Sequence, residues 1–177
     1  MITCTSSASV IEAVRSSGAR RIGIDGIDGS GKTHLARDLA KDLGTPLVCL
    51  DDFLEKDRNS YVEFIDYKRL SDYLTSAEHC VIEGVCLLQV LGHVDARVDL
   101  HIYIKRYGRG IWIDEYELNI QEPIDVFLER ERQAASMFST EPITSLGLAE
   151  EVIRYHVEFR PHRSAHITYI AEERSIV

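Results

Sequence analysis

Residues 26–33 read GIDGSGKT, which satisfies the phosphate-binding pattern G-x-x-x-x-G-K-[ST], the Walker A P-loop. Each residue type has a chemical reason to be there. Gly26, Gly29 and Gly31 let a backbone wrap closely around phosphate oxygens. Lys32 supplies a point charge for β- and γ-phosphates, and the Thr33 hydroxyl suits a Mg²⁺ ligand. The expected nucleotide contacts are Gly26, Asp28, Gly29, Ser30, Gly31, Lys32, Thr33 and His34. Two further acidic groups follow apolar runs: Asp51-Asp52 after LVCL, and Glu83 after CVI. Phosphoryl transfer needs the nucleotide held, its charge neutralised and an acceptor oxygen aligned. A carboxylate near an acceptor hydroxyl and another supporting Mg²⁺ would complete that set. Asp51 is expected in the first role and Glu83 in the second.

The elements around these residues have to put them on one rim. Arg20-Arg21-Ile22-Gly23-Ile24-Asp25 reads as a buried strand entering the loop. Leu35, Leu39 and Leu43 repeat every four residues beyond it, and Gly44 and Pro46 end that helix. A helix N-terminus behind a glycine loop is an anion site, because free N–H groups and the helix dipole both favour negative charge. Further buried strands are expected at 47–50, 80–82, 100–104 and 167–170. A short leading helix is expected at 9–17, a looser one at 61–74, and two more between the last two strands. One of these includes Phe127, Leu128 and Phe138, the other Leu148, Val152, Tyr155 and Phe159. Residues 53–60 read as a polar loop. Strands alternating with helices predict an α/β fold: three layers, a five-stranded, mostly parallel sheet, helices on both faces. Ligands in such sheets bind beyond the carboxyl ends of the strands, where Asp51, Asp52, Glu83 and the P-loop all fall.

Composition narrows the function classes. The 177 residues are expected to form one domain, 1–177. Net charge is −9 with dispersed basic residues, which argues against a nucleic-acid surface, since phosphate backbones demand clustered Lys and Arg. Cys4, Cys49, Cys80 and Cys86 lack C-x-x-C spacing and read as reduced thiols. His156, His162 and His166 are spaced unlike a zinc site. No apolar run reaches the ~18 residues that span a bilayer. MITCTSSASVIEAV has neither the basic nor the apolar region of a signal peptide, so the expected location is the cytoplasm.

GIDGIDGSGKTHLA, VCLDDF and CVIEGVCLL together resemble the uridine kinase and nicotinamide riboside kinase group of P-loop kinases. RYHVEFRPHRSAHITYI is similar to that group's closing segment, a proline loop before the last strand. The resemblance implies a P-loop NTPase fold and transfer of the γ-phosphate of ATP to a small-molecule hydroxyl, with a ribosyl compound as acceptor. It implies Lys32 and Thr33 on phosphates and Mg²⁺, Asp51 as catalytic base and Glu83 supporting Mg²⁺. Asp51, Asp52, Phe53 and Asp66 are the implied acceptor contacts, Asp66 matching an acid that holds sugar hydroxyls in relatives. Those relatives carry an Arg-rich helical lid after the fourth strand. Here HIYIKRYGRGIWIDEYEL reads instead like a β-hairpin turning at Tyr-Gly-Arg-Gly. Arg106, Arg109, Arg130 and Arg132 are the candidate phosphate-contacting arginines.

Two other readings stay open. A nucleoside monophosphate kinase of thymidylate type also fits GIDGSGKT, and Asp57-Arg58 resembles its D-R pair. In those enzymes, however, the pair follows the strand that here ends in Glu83-Gly84. A non-catalytic nucleotide-sensing regulator is the third reading; its GTPase form would need an N-K-x-D segment, and none is found. The expected cofactors are ATP and Mg²⁺. The expected partner is a small-molecule acceptor, with no nucleic acid or membrane, and the chain acts as monomer or homodimer.

Overall fold

The computed structural model describes residues 1–55 and 60–172; Asp57-Arg58 lies outside the described residues. In chain order the strands are β1 (Ile2–Cys4), β2 (Arg21–Asp25), β3 (Leu47–Cys49), β4 (Cys80–Gly84), β5 (Leu100–Gly108), β6 (Ile111–Trp112) and β7 (Ile167–Glu172). The helices are α1 (Ser7–Ser17), α2 (Lys32–Leu43), α3 (Tyr67–Ser76), α4 (Leu87–His93), α5 (Glu115–Leu118), α6 (Ile124–Ser136), α7 (Leu148–Phe159) and α8 (Pro161–Ser164). Short 3₁₀ turns occupy Leu50–Phe53 and Val62–Phe64.

The sheet runs β1-β7-β5-β2-β4-β3, parallel throughout, with β6 folded back antiparallel on β5. After β2 the chain crosses through α2 to the β3 edge, returns to β4, then passes to β5 on the other side of β2. Strand order therefore reverses beside β2, and the crevice above that reversal is where such sheets take ligands. Alternation divides the side chains between two faces. Ile22, Ile24, Val81 and Ile102 pack under Val10 and Val14 of α1 and Leu35 and Leu39 of α2. Val48 and Ile82 pack on the opposite face against Leu70 and Leu74 of α3 and Leu87 and Val90 of α4. Each large apolar side chain buried this way contributes about 1.5–3 kcal/mol. The three-layer α/β architecture is the expected one.

Several expectations are corrected in detail. The sheet has seven strands among the described residues rather than five. β1 adds an edge strand, and the β6 return supplies the hairpin read from YGRG. The helix expected over 61–74 breaks: the Val62–Phe64 turn comes first, and α3 starts only after Asp66, which caps it. Phe138 lies beyond α6, almost wholly exposed, rather than on its core face. Helix α4, between the CVIEG strand and β5, was not expected. All four cysteines are free, as read, although Cys49 is only half-buried. Among the described residues no helix is long and apolar enough to cross a membrane.

Candidate active site

β2 delivers the chain into the P-loop, and α2 takes it away. Gly31 caps α2 with φ 90°, a left-handed conformation that costs glycine little, and no side chain caps the helix. The first-turn amides thus remain available to an anion. A Cβ on Gly31 would meet nothing within 4 Å, so space lies open in front of the loop. The Ser30 hydroxyl is buried and has no hydrogen-bond partner among the described residues. Lys32 is buried too, its Nζ donating to the Ile27 carbonyl at 2.7 Å across the loop. Burial pushes the Lys32 ammonium below the ordinary lysine range, against the opposing pull of Glu83, Asp25, Asp28 and Asp51.

Register brings the two strand-end acids up beside this loop. Glu83 pairs with Ile24 of β2 on one side and Cys49 of β3 on the other. Its Oε1 accepts from the Thr33 hydroxyl at 2.9 Å and from the Cys49 thiol at 3.1 Å. Burial and the adjacent Glu83 push the Cys49 thiol up to about 12, so it stays protonated as that donor. Asp51 stands two residues past β3, in the Leu50–Phe53 turn. It reaches its place because Gly84 has no side chain: a Cβ there would lie 2.7 Å from Leu50 Cδ1 and 2.8 Å from Leu50 Cβ.

The resulting cavity, about 560 Å³, is lined by Asp28, Gly29, Gly31, Lys32 and Thr33 of the loop and helix start, together with Asp51, Leu54, Tyr61, Glu83, Val85 and Leu148. Lys32, Thr33, Asp51 and Glu83 therefore face one space, as the sequence predicts. Gly26 lies buried behind the loop. Other expected contacts fall outside the cavity lining. His34 is exposed on α2 with Nε2 3.6 Å from Asp38. Asp52 is exposed, and its carbonyl accepts from Arg69. Phe53 is buried beneath the Arg69 guanidinium at 4.6 Å. Asp66 accepts from the Arg69 amide at 3.0 Å as the α3 cap.

The four candidate arginines differ in their surroundings. Arg106 forms a two-point ion pair with Asp114, though its Nη1 also approaches Gly29 of the P-loop. Arg109 is exposed in the hairpin turn. Arg130 pairs with Glu122 at 2.8 Å, and Arg132 with Glu150 at 2.8 Å. The site also contains residues that the sequence reading missed. Asp25, fully buried, accepts from the Gly26 amide at 2.7 Å and from the Tyr155 hydroxyl, with His101 Nε2 3.4 Å away. Burial and the Asp25 carboxylate push the Tyr155 phenol well above its ordinary range, so it remains a donor. Leu54, Tyr61, Val85 and Leu148 of the cavity lining were missed as well, and Asp25 and Tyr155 lie 130 positions apart in sequence.

The donors present suit a hard cation. Thr33 and Glu83 offer oxygen ligands beside the anion loop. Among the described residues no group of three or more His, Cys, Asp or Glu could hold a metal on its own. Thr33 and Glu83 would fit Mg²⁺, which takes one or two protein oxygens and completes its shell with phosphates and water.

The sheet order and the glycine loop after β2 define a three-layer P-loop α/β fold. A structure of a possible uridine kinase from Bacillus stearothermophilus is similar with a TM-score of 0.50 and 16% identity, over 92% of this chain and 96% of the other. A candidate fructose transport system kinase from a Silicibacter species gives 0.45 at 15% identity, over 96% and 100%. Shikimate kinase from Bacteroides thetaiotaomicron gives 0.42 at 16%, over 86% of each chain. At such identity the first likeness establishes the fold, and the other two carry nothing further. No protein-family model and no curated protein matches the sequence.

Proposed function

We propose that the chain is an ATP-dependent phosphotransferase, uridine kinase-like, that moves the γ-phosphate of ATP to a hydroxyl of a nucleoside or other ribosyl compound. The observation that carries this reading is that Asp51 lines one cavity together with Lys32, Thr33 and Glu83. The loop amides and Lys32 hold the triphosphate, and Thr33 and Glu83 hold Mg²⁺, which neutralises charge on the phosphates when bound. Asp51 accepts the proton of the acceptor hydroxyl as that oxygen attacks. Leu54, Val85 and Leu148 give the acceptor side an apolar surface suited to a ring.

Charge supports a hydroxyl over a phosphate acceptor. An acceptor phosphate beside Asp51 would be repelled by its carboxylate. Guanidinium groups would have to offset that repulsion. Among the described residues Arg69, Arg130 and Arg132 hold other partners, Arg106 pairs with Asp114 beside Gly29, and Arg109 is exposed in the hairpin turn. The test is ADP formation from MgATP with a panel of unphosphorylated nucleosides and sugars, run beside the matching monophosphates. Turnover with a member of the first set and little with the second is expected. Turnover with monophosphates alone, or with neither set, would overturn the reading.

A further inference from the structure

The geometry points to Tyr61 as a positioning residue for Asp51, itself held in place by Glu151 of α7. This inference rests on the role of Asp51 proposed above. The Tyr61 hydroxyl donates to Asp51 Oδ1 at 2.6 Å. Burial, that hydrogen bond and the Asp51 charge push the phenol far above its ordinary range, so it holds its proton and remains a donor to Asp51. A phenol has one proton to give, and here it is committed to one carboxylate oxygen. Oδ2 is then the oxygen left for the acceptor hydroxyl, and rotation of the carboxylate is restrained.

Tyr61 does not hold this position through its own segment alone. The Glu151 carboxylate accepts from the Tyr61 amide at 2.9 Å and from the Val62 amide at 3.1 Å. These amides open the Val62–Phe64 turn, whose first amides have no partner within the turn itself. A carboxylate taking two amides at the start of such a turn makes charge-assisted bonds, roughly twice as strong as neutral ones. Leu148, three residues before Glu151, lines the same cavity. The first turn of α7 thereby contributes one wall of the site and fixes the tyrosine that aims the base. Neither residue needs to touch the transferred phosphate. Placement alone matters, because small misalignments of a reacting group are costly to rate.

The test is a double-mutant cycle, measured with MgATP and the panel nucleoside that turns over fastest. Tyr61→Phe keeps the buried ring and removes only the proton donor. It should lower kcat roughly 10- to 100-fold, with KM for ATP and melting temperature nearly unchanged. The double variant Asp51→Asn/Tyr61→Phe should be no slower than Asp51→Asn alone, within about twofold, because residues acting through one another are not additive. Glu151→Ala should reproduce the loss, and Glu151→Gln, whose amide oxygen still accepts, should restore most of it. Losses that multiply, or Tyr61→Phe at the wild-type rate while Asp51→Asn is crippled, would overturn this inference alone. Asp51→Asn at the wild-type rate would overturn the assignment of the base, and this inference with it.

Discussion

Thr33, at the start of α2, donates its hydroxyl to Glu83 Oε1 at 2.9 Å, joining the exit of the P-loop to the end of β4. The partners are 50 residues apart in sequence and meet because β4 lies directly beside β2. The same pair that holds the loop to the sheet presents two hard oxygens to a cation, so it predicts a metal phenotype. Glu83→Gln should raise the Mg²⁺ concentration needed for half-maximal rate while leaving ATP saturation largely intact. Asp51→Asn should retain ATP binding and lose rate by roughly 10²–10⁴-fold. If Asp51→Asn changed only the Mg²⁺ requirement, the roles of the two acids would be reversed.

Lys32→Ala should abolish nearly all ATP-dependent turnover with the fold intact. The Lys32 head group bonds to the Ile27 carbonyl at the mouth of the site and is no part of the apolar clusters. Circular dichroism should be unchanged and the melting temperature nearly so. Wild-type turnover would refute the assignment of the phosphate loop.

Gly84→Ala tests the packing that carries Asp51. The added methyl would lie under 3 Å from both Leu50 Cβ and Leu50 Cδ1, and Leu50 immediately precedes Asp51. Overpacking of this kind costs about 1–3 kcal/mol. A lowered melting temperature should therefore come with a lowered kcat, the KM for ATP moving less. A variant as stable and as fast as wild type would contradict the close approach.

His162 gives a stability prediction with a definite sign. Burial first, then the charges of His156, Lys105, Arg163 and Arg160, push its ring down to about 3 from an ordinary 6.5. Both ring nitrogens are buried, with no hydrogen-bond partner among the described residues. Below pH 6.5 the unfolded chain takes up a proton that the folded chain refuses, so stability falls as pH falls. The contribution is complete above pH 6.5 and is lost progressively down to about pH 3. His162→Phe, which cannot protonate, should flatten the decline in melting temperature over that window. An unchanged slope would remove His162 as its source.

Much of this site was legible because its chemistry is written in contiguous runs. GIDGSGKT announces itself, and Asp51 and Glu83 each follow an apolar run that could only be a buried strand. Contacts between distant elements left no such mark. Tyr61 and Glu151 are 90 residues apart, and neither position carries a local pattern that names its partner. Asp25 read as the last residue of a strand, although its carboxylate is buried among Gly26, Tyr155 and His101. β1 escaped notice because three residues with only Cys4 buried show no period. α4 escaped because it is seven residues long and is entered through a left-handed Cys86 rather than a recognisable cap.

The central claim is that a hydroxyl oxygen, not a phosphate oxygen, receives the γ-phosphate. Phosphorus NMR of the products measures this directly, with MgATP and the panel of nucleosides, sugars and monophosphates in separate reactions. The account predicts ADP and a new phosphomonoester resonance in equal amounts from an unphosphorylated acceptor, absent with Lys32→Ala. A new diphosphate resonance from a monophosphate, with no monoester from any unphosphorylated compound, would contradict it.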